Sequence, residues 1–301
     1  MAVLARRQTH VTFNSILNRL VLFCARFSLP EYGYRFAELS FGYIGDGHRE
    51  NEGSVLCSEL GMLHAAAAPQ VAIDLFQRAN KTASGRPEQV GTELAIHVHE
   101  CLHYGAGLDI ERFDRIWSQC LHYRLAEPMA RASLLRGSLL LREGNLKSAL
   151  YWIERTATVV QLYHMKQFEI PILTDQILHA LLVGNISRAH HLFEDLASEF
   201  GRVEKEAGLA SALIGKVLRA AEKAAATLRA EPSAIERPDL PPRYCDPLAE
   251  IRQNIASIAL LLGLAEKASL YQDALSERPC PEVSDHRCIE VMGRQLILGA
   301  Y

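Results

Sequence analysis

One short pattern occurs twice in this chain, forty residues apart. Gly144-Asn145 followed by Ala149 and Ile153 returns as Gly184-Asn185, Ala189 and Phe193. A helix-length apolar segment precedes each Gly-Asn and another follows it, so each copy reads as helix, tight turn, helix. Such a unit cannot bury its apolar face alone, and a repeat near this length is how solenoids are built. The stretch from Arg131 to Glu199 is therefore the part of the chain that most restricts the fold.

Taken in order, the chain extends the pattern on both sides. Apolar spacing predicts helices over residues 11–27, 53–66 and 71–82, with a short helix and loop between 30 and 50. Further helices are expected over 88–104, 109–124, 129–142, 146–162, 169–183 and 187–200. A turn is expected at Gly105 to Gly107, and Ser84 to Pro87 reads as a linker. Trp117 is placed beside Phe76, Ile153 and Phe193 as the large residue of each second helix, at spacings of 41, 36 and 40. Beyond Gly201 an Ala-rich helix is predicted over 203–230. Five prolines within 231–247 then forbid helix, and a last pair is expected over 248–262 and 265–276 around Gly263. Cys288 to Leu298 reads as a terminal capping helix. This gives a segment 1–50, an array over 51–230, a Pro-rich loop at 231–247, and a C-terminal pair and tail over 248–301.

Composition excludes several function classes. A net charge of −3 offers no basic field for nucleic acid, and no run of eighteen apolar residues exists to span a membrane. Cys24, Cys57, Cys101 and Cys120 sit among apolar neighbours, as buried reduced thiols do, so the expected compartment is the cytoplasm or nucleus. The first 27 residues carry Arg6, Arg7, Arg19 and Arg26 and no acid. That start is read as a first solenoid helix with a basic face, with a presequence directed to the mitochondrial matrix as the alternative.

Ala72, Phe76 and Ala79, together with Gly137, Gly144, Ala149, Gly184, Ala189 and Phe193, resemble the packing positions of tetratricopeptide (TPR) repeats. The resemblance covers about Gly53 to Ser276. The Trp and Tyr positions of the family's first helix are not filled, and the repeat-ending Pro is missing. The resemblance implies an all-α, TPR-like helix-pair solenoid, wound as a right-handed superhelix with no significant β-sheet. Within the superfamily, the long degenerate arrays of the anaphase-promoting complex, a cell-cycle ubiquitin ligase, are similar to the whole array. That likeness implies a non-catalytic interaction subunit without cofactor, whose partners are other protein subunits or a peptide or helix in a concave groove. The groove positions carried over are Arg131, Leu134, Ser138, Leu141, Arg142, Thr174 and Leu178. Arg131 and Arg142 are suited to gripping carboxylates. No Lys/Asn set for clamping a peptide C-terminus is present.

One motif opposes that reading. His99-Glu100-Cys101-Leu102-His103 is H-E-x-x-H, which on a helix sets two imidazoles four residues apart to share a zinc ion, with Glu100 as general base. Asp109 stands where a third ligand would be sought. Against this, Ala106 replaces the glycine of the longer protease signature, and no strand-rich region precedes the helix. Leu94, Val98, Cys101 and Leu102 also form the apolar stripe that a packed helix needs. A zinc-dependent hydrolase is the alternative of different class, and an effector-sensing domain of a regulator is a third. His190-His191 reads as one ring at the core edge and one solvated.

Overall fold

In a computed structural model the chain is all-α. The described residues are 2–26, 29–41, 49–64, 69–83, 85–103, 109–228 and 247–276, and they contain no strand. Twelve α-helices are found among them: α1 Ala2–Arg26, α2 Pro30–Phe41, α3 Arg49–His64, α4 Pro69–Thr82, α5 Arg86–His103, α6 Ile110–Tyr123, α7 Ala126–Arg142, α8 Leu146–Leu162, α9 Glu169–Leu182, α10 Ile186–Leu228, α11 Pro247–Leu261 and α12 Ala265–Ser276. The loop glycines Gly42, Gly45 and Gly47, Ser84, the turn at 105–107, residues 231–246 of the Pro-rich stretch, and Cys288 to Leu298 lie outside the described residues. Prolines 30, 69, 87, 128 and 171 all stand in the first turn of a helix, where a missing N–H costs nothing. Several helices accordingly begin earlier than apolar spacing alone predicts.

The largest departure from the expected elements is α10. Residues 187–200 and 203–230 were expected as two helices divided at Gly201, yet α10 runs unbroken for 43 residues. A helical glycine costs only about 1 kcal/mol against alanine. Good helix formers flank it on both sides, and Arg202 bonds back to Glu199 one turn earlier, so the helix continues.

The chain divides into two compact units, each drawn from two segments. The first comprises Met1–His99 and Glu204–Asp246; the second comprises Glu100–Val203 and Pro247–Tyr301. Within the first, α1 packs on α2 and α3 on α4. Its core joins Leu17, Val21, Cys24, Phe36, Leu56 and Leu60 to Ile214 and Leu218 of α10. The Phe76 ring is fully buried against Gly61, where an added Cβ would meet it at 2.6 Å. Gly61 of α3 is thus the close partner of Phe76, a role that the sequence reading did not assign.

Within the second unit, α7 packs on α8, α8 on α9 and α11 on α12. Ala149, Ile153, Val160, Phe168 and Ile172 form its apolar centre. Burial repeats at forty residues: Phe113, Ile116 and Cys120 of α6 correspond to Ile153, Thr156 and Val160 of α8, and to Phe193, Leu196 and Phe200 of α10. The residue equivalent to Ile153 is thus Phe113 and not Trp117, which restores an even spacing. Gly137 lies beneath Ile153, whose Cγ1 would stand 3.1 Å from an added Cβ.

The turns explain this regularity. Left-handed residues occur at Arg124, Gly144, His164 and Gly184, with φ of 55°, 74°, 54° and 74°, so a turn closes every twenty residues. After each, the next N–H reaches a carbonyl five residues back: Leu125 to Cys120, Asn145 to Leu140, Met165 to Val160 and Asn185 to Ala180. Gly263 repeats the arrangement, with Leu264 bonded to Ala259. These bonds satisfy the carbonyls that a helix end leaves open. Asn145 and Asn185 then start the following helix by accepting from the backbone N–H of Ser148 and Arg188.

Candidate functional site

The residues expected to line a groove belong to α7 and α9, which pack together. Their roles differ. Arg131 pairs with Glu127 one turn earlier and lies over the Phe168 ring at 5.7 Å. Leu134 and Leu178 are half-buried against the apolar centre of the unit. Leu141 is in that centre, only 6 % exposed, and so does not line a groove. Thr174 returns its hydroxyl to the Ile170 carbonyl within α9. Arg142, at the end of α7, is exposed.

Ser138 leads to a residue that the sequence reading missed. Its hydroxyl donates to Oδ2 of Asp175 at 2.6 Å. Asp175 is buried, and burial pushes its carboxyl from 3.8 up to about 7, against the lowering effects of the Ser138 bond and the Arg142 charge. His179, one turn further along α9, is also buried. Forty residues before Asp175 the repeat holds Leu135, again buried. A carboxyl thus occupies a core position, and aligning the repeat on itself is the signal that finds it.

Beside α9, a cleft of about 500 Å³ opens between the end of α8, the start of α9 and the first third of α10. Val160, Ile172 and Leu173 form its apolar floor, and Glu169, Glu199, Asp195, Lys166 and Gln176 its polar wall. Arg202 donates from Nε to Glu199 at 2.9 Å and stands 3.8 Å from Glu169. Its bonds hold Glu199 below the usual carboxylate range. Burial and the adjacent Glu199 push Glu169 above it.

The H-E-x-x-H segment lies on a helix, α5, as its spacing requires. His99 and Glu100 are used in packing and ion pairing. His99 is buried and stacked on the Phe76 ring, with centroids 5.3 Å apart and an interplanar angle of 12°. Glu100 pairs with Arg112 at 2.6 Å. Asp109 caps α6 by accepting from the Arg112 backbone N–H at 3.0 Å. The His103 side chain is outside the described residues. Among the described residues no three His, Cys, Asp or Glu side chains stand grouped to hold a metal ion, and no helix is long and apolar enough to cross a membrane.

The four described cysteines are buried thiols, with burial pushing Cys24 up to about 12 and Cys120 to about 11. His190 is half-buried and His191 exposed, as α10 periodicity requires.

Both tryptophans of the chain lie in one cluster. Trp117 of α6 and Trp152 of α8 meet edge to face at 5.3 Å. Arg136 of α7 covers Trp152 and Phe113 at 4.8 and 4.7 Å, and Arg155 of α8 covers Trp117 at 4.8 Å. Sequence periodicity assigned Trp117 to packing, and neither arginine was singled out. Arg136 lies on α7 and Arg155 on α8, so no spacing within one helix marks the cluster. Compared with protein-family models, curated proteins and solved structures, the chain matches none.

Proposed function

We propose that this chain is a non-catalytic, TPR-like scaffold for protein–protein interaction, acting as one subunit of a larger assembly. The observation that carries the reading is the twenty-residue recurrence of helix and left-handed turn through the second unit. An array of this kind contributes extended surface at little cost in sequence, which suits it to holding a peptide or a partner helix. The cleft beside α9, with its apolar floor and charged wall, supports the same reading. Two side chains of the H-E-x-x-H segment, His99 and Glu100, are engaged by Phe76 and Arg112. A ubiquitin ligase such as the anaphase-promoting complex is the assembly to which the likeness of the long array points.

Chemical cross-linking of the tagged full chain in cells, followed by mass spectrometry, tests the proposal. A stable set of co-purifying subunits is expected, and their absence would count against a scaffold. Metal analysis and a Glu100→Gln variant address the hydrolase reading. Stoichiometric zinc with hydrolysis that depends on Glu100 would overturn the scaffold assignment.

A further inference from the structure

We infer that the cluster around Arg155 is an anchor for an acidic segment of a protein partner. This rests on the scaffold reading and supplies it with a surface and a partner chemistry. Packing explains only part of the cluster. Ala149, Ile153, Thr156, Val159 and Val160 are the buried stripe of α8. Trp152 is half-buried at its edge, against the buried Phe113 ring, whereas Tyr151 and Arg155 stand off the stripe. Tyr151 is 55 % exposed.

The guanidinium of Arg155 is held on three sides. Its carbon lies 4.8 Å from the centre of the Trp117 ring, 5.5 Å from Trp152 and 6.0 Å from Tyr151. Nη1 donates to the Tyr151 hydroxyl at 2.7 Å. Among the described residues no carboxylate pairs with Arg155, although Arg112, Arg131, Arg136 and Arg202 each have one. Of the five N–H groups on its fork, one is spent on Tyr151. The rings remove part of the water from this cation and supply no counter-ion.

Fixing a long arginine before its ligand arrives removes part of the entropy cost of binding, and a fork geometry matches a carboxylate. Tyr, Trp and Arg are also the residues that most often dominate binding energy at interfaces. The occupant that fits is a peptide segment presenting Asp or Glu beside an apolar side chain, the carboxylate on Arg155 and the apolar group on the Tyr151 and Trp152 rings. Nucleic acid fits less well. Its backbone needs several cations in a row, whereas Arg136 is already neutralised by Asp114 and the chain has a net charge of −3.

The test uses the full chain and three fluorescein-labelled probes: a pool of 12-residue peptides randomised over Asp, Glu, Leu and Phe, the same pool with Asn and Gln for the acids, and a single-stranded RNA 12-mer. Anisotropy reports binding. Intrinsic emission reports its place, because both tryptophans of the chain lie in the cluster. The acidic pool is expected to bind, to change the tryptophan emission and to weaken with salt. Affinity should fall about ten-fold or more in Arg155→Ala and several-fold in Arg155→Lys, which keeps the charge and loses the fork. Circular dichroism verifies that both variants are folded. Equal binding of the acidic and amide pools, no binding of either, unchanged affinity in Arg155→Ala, or Arg155-dependent binding of RNA alone would overturn the inference. Cross-linking with the same variants separates the two proposals. Partners captured equally by wild type and Arg155→Ala would defeat this surface and leave the scaffold standing, whereas no partners for wild type would defeat the scaffold itself.

Discussion

Ser138 Oγ donates a hydrogen bond to Asp175 Oδ2 across 2.6 Å, joining α7 to α9 through a carboxyl that burial pushes up to about 7. The position belongs to the core stripe, since its counterpart one repeat earlier is Leu135. An ionisable group placed where the repeat has leucine makes this helix contact dependent on pH.

The sign follows from linkage. The folded carboxyl binds its proton more tightly than the unfolded one, so the stability it contributes is fully present below about pH 4 and is lost as the pH rises through about 7. The displacement from 3.8 to about 7 corresponds to roughly 4 kcal/mol as an upper bound. Urea unfolding of the wild type should give falling stability between pH 5 and 8. Asp175→Asn should flatten that slope and be the more stable protein at pH 8. An Asp175→Asn variant with the wild-type slope would show that the dependence comes from elsewhere. Ser138→Ala removes a bond that favours the charged form and should move the midpoint to higher pH.

Of the four turns spaced at twenty residues, two use glycine and two do not. For a residue with a Cβ the left-handed conformation costs roughly 1 kcal/mol, and glycine avoids it. Arg124→Gly and His164→Gly should each therefore raise the unfolding free energy by up to about 1 kcal/mol. Gly144→Ala and Gly184→Ala should lower it by a similar amount. Thermal unfolding of the four single variants checks the assignment, and opposite signs for the two pairs are the expected outcome.

Those turns also show what could be read from the chain. Gly144-Asn145 and Gly184-Asn185 carry a local signal, because glycine and an Asn cap together mark a helix end and the next start. Arg124 carries none, since nothing in an arginine forecasts a left-handed φ, and His164 carries only the modest enrichment of histidine in that region. The period of forty was legible, whereas the period of twenty beneath it was not. The candidate sites divide in the same way. Ser138 was reachable by family position, but its partner Asp175 could be identified only by comparing repeats and noticing a carboxyl in place of Leu135. The clamp on Arg155 depends on three rings from two helices, and no local spacing encodes that.

Arg202 holds Glu199 and faces Glu169 at the mouth of the cleft beside α9. Replacing it with methionine keeps much of the aliphatic stem and removes the cation. Glu199 should then lose its lowered pKa, and the two adjacent carboxyls should destabilise the folded chain at neutral pH. Because the groups are partly solvated, the loss should be about 1 kcal/mol. A group held below its ordinary range contributes stability above that range and loses it on acidification. The difference between Arg202→Met and wild type should therefore shrink as the pH falls from 7 toward 4. A pH-independent difference would mean that Arg202 acts through its stem alone.

Two helical glycines should respond oppositely to the same substitution. At Gly61 an added Cβ would stand 2.6 Å from the Phe76 ring, and the ring is fully buried and cannot withdraw. Overpacking of this kind costs about 1 to 3 kcal/mol, more than the roughly 1 kcal/mol that alanine gains in helix propensity. At Gly201, inside α10, the same Cβ would meet nothing within 4 Å, so only the propensity gain remains. Gly61→Ala should thus be destabilising and Gly201→Ala stabilising by up to about 1 kcal/mol. A smaller side chain opposite should relieve the first, so Gly61→Ala combined with Phe76→Leu should be more stable than the sum of the two single changes. Additivity in a double-mutant cycle measured by urea unfolding would sink the claim that Gly61 is there to admit the Phe76 ring.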